Sequence, residues 1–236
     1  STVLATALPA IAHSLGEKPI RLNLAISSYL LSLAVFIPTS GWIADRFGAR
    51  RVFRAAIVVF TVGSVLCGLS PSLLALVGAR VLQGIGGAMM VPVGRLVLLR
   101  TVPKSELVAA MAWLSTPALL GPVLGPPLGG FIVTYFSWPL IFYINIPIGV
   151  LGVTLVTLYV EDVAEPVFNK FDWRGLGFSA VALTSLLFGM ETAGRGVVSP
   201  AITISVIALG LVCGYAYWLH ARRHAAPLID FELMRI

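Results

Sequence analysis

Residues 107–160 read LVAAMAWLSTPALLGPVLGPPLGGFIVTYFSWPLIFYINIPIGVLGVTLVTLYV, without one Asp, Glu, Lys, Arg or His. A helix needs about 20 apolar residues to cross the hydrocarbon core of a bilayer. This block therefore holds two crossings and must fold back, at Thr134–Pro139. Further charge-free blocks occupy 22–44, 55–79 and 196–219. Of the 236 residues 58% are hydrophobic and 11% charged, with a mean hydropathy of +0.97, whereas an ordinary soluble domain carries about 25% charge. That excludes a soluble globule and predicts an all-α polytopic membrane protein, since each spanning helix satisfies its own backbone polar groups.

The 20-residue criterion gives about eight crossings. They fall near 1–15, 22–44, 53–70, 73–99, 107–134, 139–160, 174–193 and 199–219. The chain begins at Ser1 inside an apolar segment too short to span, and reads as a fragment whose first helix is cut. Three units are expected: 1–160 with six helices, 161–219 with a loop and two more, and a polar segment at 220–236. On alternate connections lie Arg46, Arg50, Arg51 and Arg54, then Arg100 and Lys104, then Lys170 and Arg174, then Arg222, Arg223 and Arg235. The other side has only Lys18, Arg21 and Arg195. Eleven against three predicts that the 2–3, 4–5, 6–7 and final segments are cytoplasmic.

The net charge of +6 and pI near 9.7 do not imply nucleic acid, because the basic residues sit in short loops and form no stripe. They are topology signals facing an anionic lipid leaflet. Cys67 and Cys213 lie in separate apolar blocks, with no disulfide or metal spacing. No nucleophile–base pair or metal-ligand cluster stands out in the spans, so neither an enzyme nor a resident cofactor is expected.

Function shows where a membrane helix keeps what lipid disfavours. Arg80 sits about two turns into the fourth helix, at about 2.5–3.5 kcal/mol on insertion scales if central. It should face a water-filled cavity or a partner, or else snorkel to the outer interface. Gln83, Gly84 and Gly87 share its helical face and leave a narrow strip for a neighbouring helix. In the fifth helix Gly121, Gly125 and Gly129 form a small-residue ridge, while Pro117, Pro122, Pro126 and Pro127 interrupt the hydrogen-bond ladder. That helix is either bent or a moving part. The loop Gly41-Trp-Ile-Ala-Asp45-Arg46-Phe-Gly48-Ala-Arg50-Arg51 puts a carboxylate at the negative end of a helix dipole. A cation or another helix's N-terminus should hold Asp45, with Gly41 letting that helix approach; a merely topogenic basic loop is the plainer alternative. Glu191 and His13 read as interfacial, and Glu191 is a weak functional candidate.

These clusters resemble the signature motifs of the major facilitator superfamily, and more narrowly its fourteen-helix drug:proton antiporter branch, the EmrB/QacA-like transporters. Residues 41–51 match G-x-x-x-D-R-x-G-x-R-R between helices 2 and 3. Leu76, Arg80, Gln83, Gly84, Gly86 and Ala88 match the helix-4 element. Gly121-x-x-x-Gly125-Pro126-x-x-Gly129-Gly130 matches the helix-5 antiporter motif. Thr2 with Ala7-Leu8-Pro9, Phe142 to Gly149, and Pro227-Leu-Ile-Asp230 match three more stretches. Ala5 stands where the branch has Asn, Pro139-Leu140 replace Arg-Trp, and the branch's helix-1 acid would precede Ser1.

The resemblance implies a major facilitator N-terminal half with two extra linker helices, in the plasma (inner) membrane. It implies export of small amphipathic or cationic compounds by proton antiport through alternating access. Asp45 and its arginines would latch the cytoplasmic gate, Arg80 with Gln83 and Gly84 would serve proton coupling, and the Gly121–Gly130 face, with Pro122 and Pro126, would form the rocking contact. Partners would be the substrate, protons, lipid and a C-terminal half of the same chain, with no nucleic acid. The 236 residues alone should not transport. An exporter of one metabolite or host-made antibiotic, and a non-transporting sensor or assembly protein, are the alternatives.

Overall fold

A computed structural model describes residues 2–160, 171–193, 198–224 and 227–228. The expected 161–170 connection, Arg195, Asp230 and Arg235 lie outside the described residues. Within them the regular structure is helical: α1 Thr2–Leu15, α2 Pro19–Phe36, a 3-10 turn Ile37–Thr39, α3 Ser40–Phe47, α4 Ala49–Gly68 and α5 Leu73–Thr101. Then come α6 Leu107–Tyr135, α7 Leu140–Tyr143, α8 Asn145–Tyr159, α9 Trp173–Thr192 and α10 Pro200–Ala221.

Among the described residues seven helical stretches are long and apolar enough to cross a membrane: Pro19–Phe47, Ala49–Gly68, Leu73–Thr101, Leu107–Tyr135, Leu140–Tyr159, Trp173–Thr192 and Pro200–Ala221. The 14 residues of α1 reach only about 21 Å at 1.5 Å per residue. The fold is that of a polytopic α-helical membrane protein.

Local chemistry sets the boundaries. Pro38, which has no backbone N–H to give, sits in the 3-10 turn that links α2 to α3. Ser72 caps α5, its Oγ accepting from Ala75 N at 3.3 Å. The stretch 41–51, expected as a loop, is nearly all helix: α3 runs to Phe47, α4 starts at Ala49, and Gly48 alone makes the corner at φ +87°. Only glycine adopts that conformation readily, so one residue suffices. Nor do the prolines of α6 end it; the helix runs unbroken from Leu107 to Tyr135.

The centre of the bundle is α5, which packs on α4 and on α2. Further contacts join α1 to α6, α4 to α8, and the α9–α10 pair to α2. Backbones come close where side chains are missing. A Cβ on Gly86 would sit 2.5 Å from Phe60 N and 2.8 Å from Ala56 O of α4. One on Gly84 would sit 2.6 Å from Ser32 Cβ and 2.9 Å from Tyr29 O of α2. Small residues allow such approach in lipid, where packing rather than water expulsion drives association.

Two apolar clusters result. One gathers Leu4, Ile11, Leu22, Leu76 and Phe142, the other Ala44, Val52, Ala56, Met89 and Val93. Along α5, Ala79 is the last residue of the first and Met89 begins the second, so Arg80 to Ala88 crosses the gap between them. Meanwhile many large apolar side chains, among them Leu74, Val108 and Leu158, face outward, as a lipid-facing surface requires.

Gly86→Val should cost stability, since the atoms it meets are backbone and cannot swing away. Overpacking typically costs about 1–3 kcal/mol. The measurement is the melting temperature in detergent beside Gly78→Ala, whose added carbon would meet nothing within 4 Å and should be near neutral.

Candidate functional site

Arg80 is 5% exposed. Its Nε donates to the Ala25 carbonyl of α2 at 3.1 Å, and its Nη1 donates to Gln83 Oε1. The Ala25 oxygen has a second lone pair to offer beyond its helical bond. The guanidinium also lies over the Tyr29 ring, 4.1 Å from its centroid, a contact worth about 0.5–2 kcal/mol depending on desolvation. The cation is thus drawn into the bundle rather than stretched to its end.

Gln83 extends the network. Its Nε2 donates to Ser64 Oγ of α4 at 2.5 Å, and Asn145 Nδ2 of α8 donates to the same oxygen at 3.3 Å. The Ser64 hydroxyl donates in turn to the Phe60 carbonyl at 3.0 Å. Four helices are tied together by one chain of polar groups. One donor stays over: Arg80 Nη2 is buried with no hydrogen-bond partner among the described residues. Arg80, Gln83, Tyr29 and Asn145 line a cavity of about 220 Å³, closed by apolar side chains including Leu4 of α1 and Leu128 of α6. No carboxylate is among the lining residues.

Of this site, Arg80, Gln83 and Gly84 are visible in the sequence and the structure puts them on one face. Tyr29, Ser64 and Asn145 are not foreseen. Asn145 carries a signal, as an amide in the longest charge-free block; Ser64 and Tyr29 look like ordinary residues of an apolar helix.

At the far end of α5 a second constellation forms. Arg100 Nη2 meets Asp45 Oδ1 at 2.8 Å, both partly exposed. Arg50 Nη2 donates to the Thr157 carbonyl at 2.5 Å, meeting one of the last carbonyls of α8, which lack helical partners. Arg46 and Arg51 are exposed. Here one expectation needs correcting. A cation does hold Asp45, but Gly41 admits no helix: a Cβ there would meet nothing within 4 Å. Gly41 instead borders a groove of about 220 Å³ beside Pro92, Val93 and Arg95. An arginine is long enough to reach the carboxylate without close backbone approach.

The α6 ridge divides. Gly125 and Gly129 are buried, and a Cβ on Gly129 would collide with Thr6 Oγ1 and lie 2.8 Å from the Val3 carbonyl of α1. Gly121 and Pro122 are exposed, Pro126 is half-buried, and neither Gly121 nor Gly130 would bring a Cβ within 4 Å of a neighbour. Four-residue steps overshoot the 3.6-residue turn, so a row in sequence winds off a single contact face. Glu191 of α9 is tied to the main bundle: the Ser27 hydroxyl of α2 lies 2.6 and 2.7 Å from its two oxygens. The cleft beside them measures about 650 Å³ and is walled by Leu24, Leu31, Leu73 and Phe188.

A buried arginine inside a helical bundle, a basic corner and a glycine-bearing helix coincide with what the comparisons find. The sequence profile of the Major Facilitator Superfamily matches residues 1–221, and the chain belongs to that family. It is 43% identical over 233 residues, or 99% of its length, to the MdtD protein of Pectobacterium atrosepticum, whose name provisionally assigns it to multidrug resistance. The same name is carried by relatives in Pectobacterium carotovorum, at 42% over 233 residues, and in Escherichia coli, at 43% over 235 residues and 100% of this chain. The chain spans about half the length of these relatives, 50% of each.

An exposed pair such as Asp45–Arg100 is worth about 0.2–1 kcal/mol. A double-mutant cycle of Asp45→Asn and Arg100→Gln on thermal unfolding should return a coupling in that range. A coupling near zero would mean the two side chains do not meet in the resting protein.

Proposed function

We propose that this chain forms the N-terminal part of a proton-coupled exporter that moves small amphipathic or cationic compounds across the plasma (inner) membrane by alternating access. The observation that carries it is the unpartnered Nη2 of Arg80, buried at a cavity among the helices. The names of the relatives support the substrate class. A buried cation with an unused donor has two physical outlets: water, or an anion brought in by another segment. Either ties its neighbourhood to protons. A carboxylate approaching the guanidinium is favoured in its ionised form, so a helix movement that brings one up or takes it away exchanges a proton with whichever side is open.

In this reading the second half of the transporter supplies the opposing wall, and the residues described here supply the fixed charge. Asp45, Arg46, Arg50 and Arg51 lie on the cytoplasmic side by the distribution of Lys and Arg and latch the inner gate. The open Gly121 end of α6 faces the moving half. Small-molecule substrate, protons and lipid are the partners, and the transport step itself calls on no resident cofactor.

The test is transport by the full-length protein reconstituted in liposomes under an imposed proton gradient. Uptake of a lipophilic cation should follow the gradient, and Arg80→Ala should reduce gradient-driven flux by about tenfold or more while the protein still elutes as a folded species. Arg80→Lys should not restore it, because an ammonium gathers its three donors on one nitrogen and cannot span the separate positions that Nε, Nη1 and Nη2 of the guanidinium reach. Flux indifferent to the gradient, or full coupling in Arg80→Ala, would defeat the proposal. The 236 residues expressed alone should give no flux.

A further inference from the structure

The α9–α10 pair carries a polar cluster apart from the Arg80 network. Asp172 caps α9, its Oδ1 accepting from Gly175 N at 2.8 Å. The same oxygen lies 2.8 Å from His220 Nε2 in the last turn of α10. His224 follows one turn later, its N–H donating to the His220 carbonyl at 3.1 Å, and the two imidazoles lie 5.1 Å apart between centroids. One potential ligand atom from each of Asp172, His220 and His224 falls within 4.8 Å of the others.

Asp172 is 3% exposed, and its Oδ2 is buried with no hydrogen-bond partner among the described residues. Room for that oxygen exists because Gly175 has no side chain; a Cβ there would collide with it. A carboxylate needed only as a helix cap and a histidine partner would not leave a second oxygen dry and unused. An orphan acceptor beside two imidazoles is a set of donors short of a cation.

We propose that Asp172, His220 and His224 bind a divalent transition-metal ion of the zinc class, clamping the start of α9 to the end of α10. Two imidazoles and a carboxylate are a zinc donor set, with bonds of about 2.0–2.2 Å and a fourth position left for water. Bonds of that length set ligand atoms about 3.3 Å apart. His220 Nε2 and Asp172 Oδ1, now at 2.8 Å, would therefore part slightly to admit the ion while the set, within 4.8 Å overall, closes around it. His224 lies beyond the end of α10 at Ala221, one turn past His220. The helix ends favour this only in part: the α10 C-terminus attracts a cation and the α9 N-terminus repels it. The carboxylate of Asp172 lies at that repelling end and offsets it. The clamp also lies beside the main bundle, since Phe171, next to Asp172, packs edge-on against Trp42 at 4.6 Å between centroids.

His220-x-x-x-His224 is the trace of this site in the sequence; Asp172 lies 48 residues before His220 and has none. The expectation that no metal-ligand cluster stands out concerned the spans; this candidate gathers at the start of α9 and the end of α10.

The experiment is calorimetric titration of the full-length protein, purified without a polyhistidine tag and stripped with chelator, with zinc chloride. One saturable site per chain is expected. His224→Ala and Asp172→Asn should each weaken it by at least about tenfold, the loss usual when even a supporting residue of a metal site is removed. Asn keeps an oxygen for the Gly175 cap, and His224 is outside the helix, so both variants should melt within a few degrees of the parent in chelator. Absence of a saturable site, or affinity unchanged in both variants, would overturn the proposal.

Discussion

A guanidinium shut away from water has to be satisfied by the protein around it. Arg80 imposes this on the whole middle of the bundle. The Ala25 carbonyl fixes where α2 lies, and Gln83 relays the demand to Ser64 and so to α4 and α8. The helices can meet at those distances only because Gly84 and Gly86 bring α2 and α4 against α5. Charge and glycine are one arrangement: without the close approach the hydrogen bonds could not form, and without them the approach would leave a cation in a dry space. The two apolar clusters flank it on either side along α5.

The α9–α10 pair is joined to this core through α2 and α3. Glu191 meets Ser27 at one end, and Phe171 meets Trp42 at the other. The pair is therefore fastened to the helices that carry Tyr29 and Asp45 and is no loose spacer. A movement of α2 has to be followed by α9, or else break a carboxylate–hydroxyl contact and an aromatic one.

Much of this is legible in the sequence. Uncharged runs near 20 residues mark the spans because lipid tolerates little else, and an arginine within such a run stands out for the same reason. Boundaries are harder. The stretch 41–51 looks like a loop because it is basic, yet charge is compatible with a helix end and only Gly48 is obliged to turn. Partners are hardest. Ser64, Tyr29 and Asn145 come from three helices, and nothing local in their neighbourhoods says that Gln83 and Arg80 will lie beside them. The same holds for Asp172 and His220. Gly121 misleads in the opposite way, because a repeat of four in sequence drifts around the helix and ends up facing outward.

The corner at Gly48 has a mechanical consequence. A connection of one residue has only two soft torsions, and here they are held in a region that other residues seldom enter. α3 and α4 are consequently joined as a stiff elbow with no slack, while Arg50 bolts the near arm of that elbow to the tail of α8. A displacement at the Asp45 end therefore bears directly on α4, the helix that carries Ser64.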